Sequence, residues 1–191
     1  MALDILAGPR DGVRLASVAP RHAPLFCFAL LTGACALASL ALACATPFAA
    51  FAVIAAAQLR LRQALLVVLG SWLVNQGIGF GVLHYPIDVT TMMWGLVIGA
   101  AALVATFLAS GVLRASLRLS APLALTLALL CAYSGYELVL LAATPVLGGA
   151  ASFTAAIMTK IGLTSMAWLI GLVAICEIVR LLNPARLHHT V

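Results

Sequence analysis

The fold is decided by one apolar stretch, from Ala23 to Leu59, which reads APLFCFALLTGACALASLALACATPFAAFAVIAAAQL. It is too long for one ordinary membrane span, since a transmembrane helix needs about 20 apolar residues. Thr46-Pro47 interrupts the stretch, and a proline either opens a helix or kinks one. The stretch therefore predicts two helices, helix 1 over Ala23–Ala45 and a short helix 2 over Pro47–Leu59.

The composition of the whole chain agrees with a membrane location. The 191 residues are 65% hydrophobic and 8% charged, whereas soluble domains carry about 25% charged residues. Inside a bilayer the backbone has to satisfy its own hydrogen bonds, as it does in helices and closed barrels. Long runs of Leu, Ala and Val without alternation favour helices. The expected fold class is an all-α integral membrane protein with six transmembrane helices.

Charged residues, prolines and glycines separate the other four helices. We expect helices 3 to 6 over Gln63–Leu83, Thr91–Leu113, Ala121–Thr144 and Ile161–Leu182. Pro145 and Gly148-Gly149 are expected to end helix 5, because proline and glycine pairs interrupt helices. The moderately apolar residues 150–160 are expected to form a loop that re-enters the membrane or lies along its surface.

A single transmembrane domain is expected over residues 23–182, between cytoplasmic tails of residues 1–22 and 183–191. The first tail has charged residues and no apolar core, so we do not expect a cleavable signal peptide. The cysteines lie in apolar segments without a CxxC pair and are expected to be small buried apolar residues. They are Cys27, Cys35, Cys44, Cys131 and Cys176.

The basic residues predict the orientation. With a cytoplasmic amino terminus, six spans place nine of the ten basic residues on the cytoplasmic side and leave only Lys160 outside. Membrane insertion favours cytoplasmic Arg and Lys in short loops. Both termini are therefore expected in the cytoplasm. The same distribution explains the net charge of +5 without nucleic acid as a partner.

Polar side chains concentrate in the predicted outward halves of the helices and in the outer loops. Glu137 lies well inside a span, where a carboxyl group is costly and usually faces a cavity or a partner. Tyr133 is four residues earlier and shares its helix face. We expect these side chains to outline an outward substrate pocket. The expected substrate-binding residues are Asn75, Gln76, His84, Tyr85, Trp94, Tyr133 and Glu137.

All of these side chains except Glu137 also have a structural explanation. Tyr85, Trp94 and Tyr133 suit an aromatic belt at the membrane interface. Asn75 and Gln76 suit hydrogen bonds between helices. His84 suits a solvated loop.

No enzyme motif is present in the sequence. It contains no HExxH, no serine-nucleophile elbow, no phosphate-binding loop and no CxxCH, each of which supplies chemistry at a defined spacing. We therefore expect a protein that is not an enzyme. Transport by binding and conformational change needs no such groups.

The stretch from Asn75 to Pro86 reads NQGIGFGVLHYP. Together with six short helices and cytoplasmic ends, it resembles the S component of energy-coupling-factor vitamin transporters. The similar branch is the small cobalamin transporters of Gram-negative bacteria, which occur without a dedicated coupling module. The resemblance implies a multi-pass protein of the bacterial inner membrane that takes up a vitamin, most specifically cobalamin, as substrate rather than as cofactor.

The resemblance also carries expectations for a partner and a metal ligand. The small residues of helix 1 would contact an energy-coupling transmembrane protein and its ATPases. In that branch a cysteine near the outer end of helix 3 is expected to bind the cobalt of the corrinoid. This chain has no cysteine between Cys44 and Cys131, so His84 is the expected cobalt ligand, since imidazole suits such metals.

Two hypotheses of function remain open. The first is vitamin uptake through the outward pocket. The second is an accessory or assembly subunit, without enzymatic activity, that packs against a larger membrane complex. The outward polar cluster favours the first, whereas the alanine-rich helix surfaces are compatible with both.

Overall fold

The computed structural model describes residues 15, 17–42, 46–116 and 118–182, and the described residues form α-helices and one 3₁₀ turn without a strand. The six α-helices are α1 (Ala23–Leu42), α2 (Phe48–Gln58), α3 (Leu61–Gly81), α4 (Val89–Ala115), α5 (Ala121–Leu147) and α6 (Ala155–Leu182). The 3₁₀ turn spans Ala150–Ser152. The five α-helices other than α2 are long and apolar enough to cross a membrane. The all-helical fold is therefore confirmed, and its helices suit a multi-pass membrane protein.

The short helix α2 is the centre of the bundle. Its 11 residues cover about 16 Å at the usual rise per residue, roughly half of a hydrocarbon core of about 30 Å. Every one of these residues is buried, and α2 contacts each of the other five α-helices. Its sequence, FAAFAVIAAAQ, consists mostly of small residues that let neighbouring helices approach closely.

Aromatic rings fix the depth at which α2 begins. The ring of Phe48 stacks on Tyr136 of α5 with centroids 6.5 Å apart. The ring of Phe51 meets Trp168 of α6 edge to face at 6.2 Å, a favoured geometry for aromatic pairs. Both partners lie in the interiors of long helices, so α2 begins inside the bundle rather than at its surface.

Hydrogen bonds show which helix ends lie together. At one end of the bundle, the Leu15 backbone N–H donates to the Ala57 carbonyl at 2.8 Å. At the same end Gln58 Nε2 donates to Cys176 Sγ of α6 at 3.0 Å. This end, where α2 and α6 finish and α3 begins, is called the basic end because it carries Arg60, Arg62, Arg114, Arg118 and Arg180.

At the opposite end, called the loop end, α3 turns into α4 and α5 turns into α6. The Asn75 side chain links α3 to α1 and to the start of α2 here. Its Nδ2 donates to Ser39 Oγ at 2.8 Å and to Thr46 Oγ1 at 3.1 Å. The side chain of Lys160 is exposed near the first turns of α6.

One predicted segment is wrong. Residues 155–160 are not a loop but the first turns of α6, so the expected start of helix 6 at Ile161 is too late. The Thr154 hydroxyl accepts a hydrogen bond from the Ile157 backbone N–H at 3.4 Å, which is the interaction of a helix amino-terminal cap. Only Ala150–Ser152 and the residues beside it connect α5 to α6.

Some other boundaries and burial assignments also differ. Helix α5 continues through Pro145 to Leu147 and ends where Gly148 and Gly149 adopt positive φ angles of 79° and 86°. Cys131 is exposed, contrary to the expectation of buried cysteines, whereas Cys27, Cys35 and Cys176 are buried. The predicted end of helix 1 at Ala45 and the placement of Cys44 lie outside the described residues.

Candidate functional site

A pocket of about 120 Å³ lies between α3 and α4 at the loop end. Amide and aromatic side chains dominate its wall, and the first residue of α2 closes its inner side. The lining residues are Phe48, Asn75, Gln76, Gly79, Phe80, Tyr85, Thr91, Trp94, Gly95 and Ile98. Four of the seven sequence-predicted substrate residues, Asn75, Gln76, Tyr85 and Trp94, therefore line one pocket.

Glycines on α4 allow the two walls to approach. A Cβ added at Gly95 would lie 2.5 Å from Gln76 Oε1, which is shorter than any real contact. The Gly95 carbonyl also accepts a hydrogen bond from Trp72 Nε1 at 2.9 Å. Because Gly95 has no side chain, α4 lies close against α3 here. The Gln76 amide of α3 therefore lies directly against α4 in the pocket.

The amides in the wall are held in place by hydrogen bonds. Asn75 Oδ1 accepts from Gln76 Nε2 at 3.4 Å, while its Nδ2 is used by Ser39 and Thr46. Fixing Asn75 orients Gln76, since the two amides are paired. Asn75 therefore forms hydrogen bonds between helices, as its structural explanation expects. The Gln76 side chain bonds to Asn75 of the same helix, so Gln76 is the amide less occupied by other helices.

The loop after α3 folds back over the pocket. The Tyr85 backbone N–H donates to the Gly79 carbonyl at 3.0 Å, and the Tyr85 ring meets Phe80 at 6.5 Å. The intervening His84 adopts a positive φ of 53°, a conformation that is uncommon outside glycine. His84 is exposed and does not line the pocket, so the loop presents its imidazole at the surface beside the opening.

Asp88 closes the loop by capping α4. Its Oδ1 accepts from the Thr91 backbone N–H at 2.8 Å, and its Oδ2 accepts from the Thr91 hydroxyl at 2.9 Å. These hydrogen bonds, first of all the one from the backbone, hold the pKa of Asp88 below its usual value. The charged carboxylate therefore fixes both the start of α4 and the position of Thr91 in the pocket wall.

Replacing Asp88 with alanine is expected to lower the thermal midpoint of the detergent-purified protein at neutral pH. Because folding depresses this pKa, the stabilisation is present above the ordinary pKa of Asp, about 3.9, and is lost as the pH falls through the folded value. The difference between wild type and Asp88→Ala should shrink in acid. Asp88→Asn is the control, since asparagine also caps helices. Equal midpoints at neutral pH would contradict the cap.

Tyr133 and Glu137 form a separate cluster. Tyr133 Oη donates to the Met158 carbonyl of α6 at 2.7 Å, and Glu137 lies four residues later on the same face of α5. Neither residue lines the pocket. Of the seven expected substrate residues, the α3–α4 pocket therefore holds Asn75, Gln76, Tyr85 and Trp94 but not His84, Tyr133 or Glu137. Helix α4 packs against both α3 and α5 and separates the two groups.

Several pocket residues were not predicted from the sequence. Phe48 was assigned only to the start of a short helix, yet it forms the inner wall. Gly79 and Gly95 had a usable signal, since glycines inside an apolar helix mark close backbone approach. The described residues contain no group of three or more His, Cys, Asp or Glu side chains placed to hold a metal ion.

Comparisons with known proteins leave the family of this chain open. No protein-family model, no curated protein and no solved structure matches it. The features that bear on function are therefore the pocket, the bundle and the resemblance of the NQGIGFGVLHYP stretch.

Proposed function

We propose that this protein is an uptake protein of the bacterial inner membrane that binds a vitamin at the α3–α4 pocket and moves it into the cytoplasm. Cobalamin is the most specific candidate. The observation that carries the proposal is the convergence of Asn75, Gln76, Tyr85 and Trp94 on one pocket. Pockets for small molecules combine apolar and aromatic walls with a few fixed polar groups.

The pocket chemistry suits an amphipathic ligand with amide groups. Gln76 offers both a donor and an acceptor, since its side chain carries an NH₂ group and a carbonyl oxygen. Tyr85 and Trp94 offer flat apolar surface. A corrinoid presents amide side groups around a flat ring, so both features of the wall have a counterpart.

The volume of the pocket sets how such a ligand would bind. About 120 Å³ is below the roughly 300–1,000 Å³ of pockets that enclose a drug-sized ligand. A corrinoid would therefore insert an edge or a side group between α3 and α4 and leave its bulk over the loop of residues 82–88. The exposed His84 lies on that loop, where its imidazole is available to cobalt.

The proposed orientation places the loop end outside and the basic end in the cytoplasm. Arg60, Arg62, Arg114, Arg118 and Arg180 gather at the basic end, and cytoplasmic loops carry the excess of Arg and Lys. The pocket then opens outwards, as capture of a substrate from the periplasm requires. The half-length helix α2 lies between the pocket and the cytoplasm.

Gly79→Ala is expected to weaken cobalamin binding by about tenfold, which corresponds to roughly 1.4 kcal/mol. The added Cβ would lie 2.9 Å from the Tyr85 ring. Tyr85 cannot move away freely, because its backbone N–H is hydrogen-bonded to the carbonyl of residue 79. Equilibrium dialysis of the purified protein against cobalamin measures the affinity.

The matched control is Gly81→Ala on the same helix. A Cβ at residue 81 meets nothing within 4 Å, and both substitutions replace glycine with a better helix former in the last turn of α3. Gly81→Ala should therefore bind cobalamin as the wild type does. Equal cobalamin affinities for the two variants would mean that cobalamin does not bind in the α3–α4 pocket.

The second candidate function, an accessory or assembly subunit, is favoured by a groove between α1 and α6. This apolar groove has a volume of about 550 Å³ and is lined by small residues, among them Ala29, Gly33, Ala34, Ala167 and Gly171. Small residues let another membrane helix pack closely. In an uptake protein the same groove would receive the energy-coupling partner through α1. Isolation of a stable complex from native membranes, without cobalamin binding by the chain, would favour the subunit role.

A further inference from the structure

Exposed apolar side chains line the outer side of α3 and α4. On α3, Leu66 and Leu73 are 60% and 56% exposed, and on α4 Phe107 is 62% exposed. The buried helix α2 contacts both α3 and α4, so these exposed side chains lie on the opposite side of the pair. Arg62 comes four residues before Leu66, and Arg114 comes seven residues after Phe107, spacings that keep side chains on one helix face. We call this surface the α3–α4 lipid face, and the two arginines lie at its basic end.

Neither arginine has an acidic partner in the described part of the chain. The acidic side chains there are Asp88, Glu137 and Glu177. Asp88 caps α4 at the loop end, and Glu137 is buried on α5. Glu177 is ion-paired with Arg180 of its own helix at 2.8 Å. Because both arginines of the α3–α4 lipid face are exposed, their charges are available to an anion from outside the bundle.

The register of α3 against α4 brings the two arginines close to one level. A Cβ added at Gly95 would meet Gln76, and one added four residues later on α4 would meet Trp72, four residues earlier on α3. Extended to the basic end, this antiparallel register leaves Arg62 about five residues from the level of Arg114, or about 7–8 Å at the usual rise. Packed helix axes lie about 8–10 Å apart. Arginine side chains extend their charged heads on long apolar stems, so both guanidinium groups can reach one phosphate between the helices.

We propose that the basic end of the α3–α4 lipid face binds one anionic phospholipid. Its phosphate lies between Arg62 and Arg114, and one acyl chain runs along Leu66 and Phe107 towards the loop end. Arginine forms paired, charge-assisted hydrogen bonds with phosphate oxygens, and basic residues between transmembrane helices bind anionic head groups. This lipid site goes beyond vitamin uptake, since it needs neither a transported ligand nor a particular orientation of the bundle.

Native mass spectrometry of the detergent-purified protein tests the site, with phosphatidylglycerol and phosphatidylcholine of the same acyl chains as probes. The wild type should retain one phosphatidylglycerol molecule more tightly than phosphatidylcholine. Arg62→Gln and Arg114→Gln should each weaken phosphatidylglycerol binding by about fivefold, the loss expected for one basic residue beside an anionic lipid. Both arginines are exposed, so the packed interior of the variants is unchanged. Equal retention of the two lipids by the wild type, or unchanged phosphatidylglycerol binding in both variants, would overturn the proposal.

Two further variants separate a defined site from attraction by total charge. Arg180→Gln removes one positive charge from α6 at the same end of the bundle, and Lys160→Gln removes one at the loop end. Both should bind phosphatidylglycerol as the wild type does. A fivefold loss in Arg180→Gln as well would assign the binding to the charge of the whole basic end and overturn the site.

Glycerol phosphate tests the contribution of the acyl chain. It carries the phosphate group but cannot contact Leu66 and Phe107, so it should not displace phosphatidylglycerol from the wild type at equal concentration. Displacement would mean that the arginines bind a free phosphate group and would overturn the lipid as the occupant.

Discussion

Phe51→Ala is expected to lower the free energy of unfolding by about 3–5 kcal/mol, the usual cost of removing a fully buried phenylalanine. Phe51 is 0% exposed and lies between Phe48 and Trp168, with ring centroids at 5.9 and 6.2 Å. Its removal leaves a cavity at the centre of α2, which all other helices contact. Unfolding by a denaturing detergent in mixed micelles measures the change.

The control for this prediction is Phe107→Ala on α4. Phe107 is 62% exposed at the bundle surface, where lipid or detergent fills the space that the ring leaves. The same chemical deletion should therefore change the free energy of unfolding far less. Equal losses for the two variants would mean that α2 is not the packed centre of the bundle.

The contrast between Phe51 and Phe107 shows why the sequence predicts where the helices lie better than it predicts which side chains are buried. Proline, glycine and arginine positions divide the chain into its helices, and Pro47 correctly separates α1 from the short α2. Lipid is as apolar as a protein core, so a lipid-facing helix surface needs no polar residues. Leu37 and Phe51 look alike in the sequence, yet Leu37 is 66% exposed and Phe51 is fully buried.

The candidate site was only partly predictable for a related reason. The position of a residue along its helix, and so its depth in the membrane, follows from the sequence. This position correctly predicts that Asn75, Tyr85 and Trp94 lie at one end of the bundle. Which helices are neighbours does not follow from depth. Glu137 was grouped with Asn75 because their depths are similar, but α4 lies between α3 and α5. The turns of α6 before Ile161 are only moderately apolar, so the capping residue Thr154 is the signal in the sequence that marks the start of this helix.

The proposed orientation predicts an all-or-none result in cysteine labelling. Single cysteines would replace four exposed side chains, His84 and Lys160 at the loop end and Arg62 and Arg118 at the basic end, in a background without native cysteines. In intact spheroplasts an impermeant maleimide should label residues 84 and 160 and should not label residues 62 and 118. The excess of arginine at the basic end is the physical reason.

Permeabilised spheroplasts provide the control for accessibility. All four cysteines should react once the reagent reaches both faces of the membrane. Labelling of residue 62 or 118 in intact spheroplasts, with residue 84 protected, would invert the orientation and place the pocket on the cytoplasmic side. Uptake from the periplasm through this pocket would then be excluded.

Uptake itself is tested most directly by growth. The protein would be expressed in a bacterium that lacks cobalamin synthesis and its own importer, with trace cobalamin as the only source. We expect the wild type to restore growth and His84→Ala to lose it, because the exposed imidazole at residue 84 is the proposed cobalt ligand. Growth of the His84→Ala variant would mean that the protein transports cobalamin without His84 as a ligand. No growth with the wild type, together with no corrinoid retained on the purified protein, would contradict cobalamin uptake.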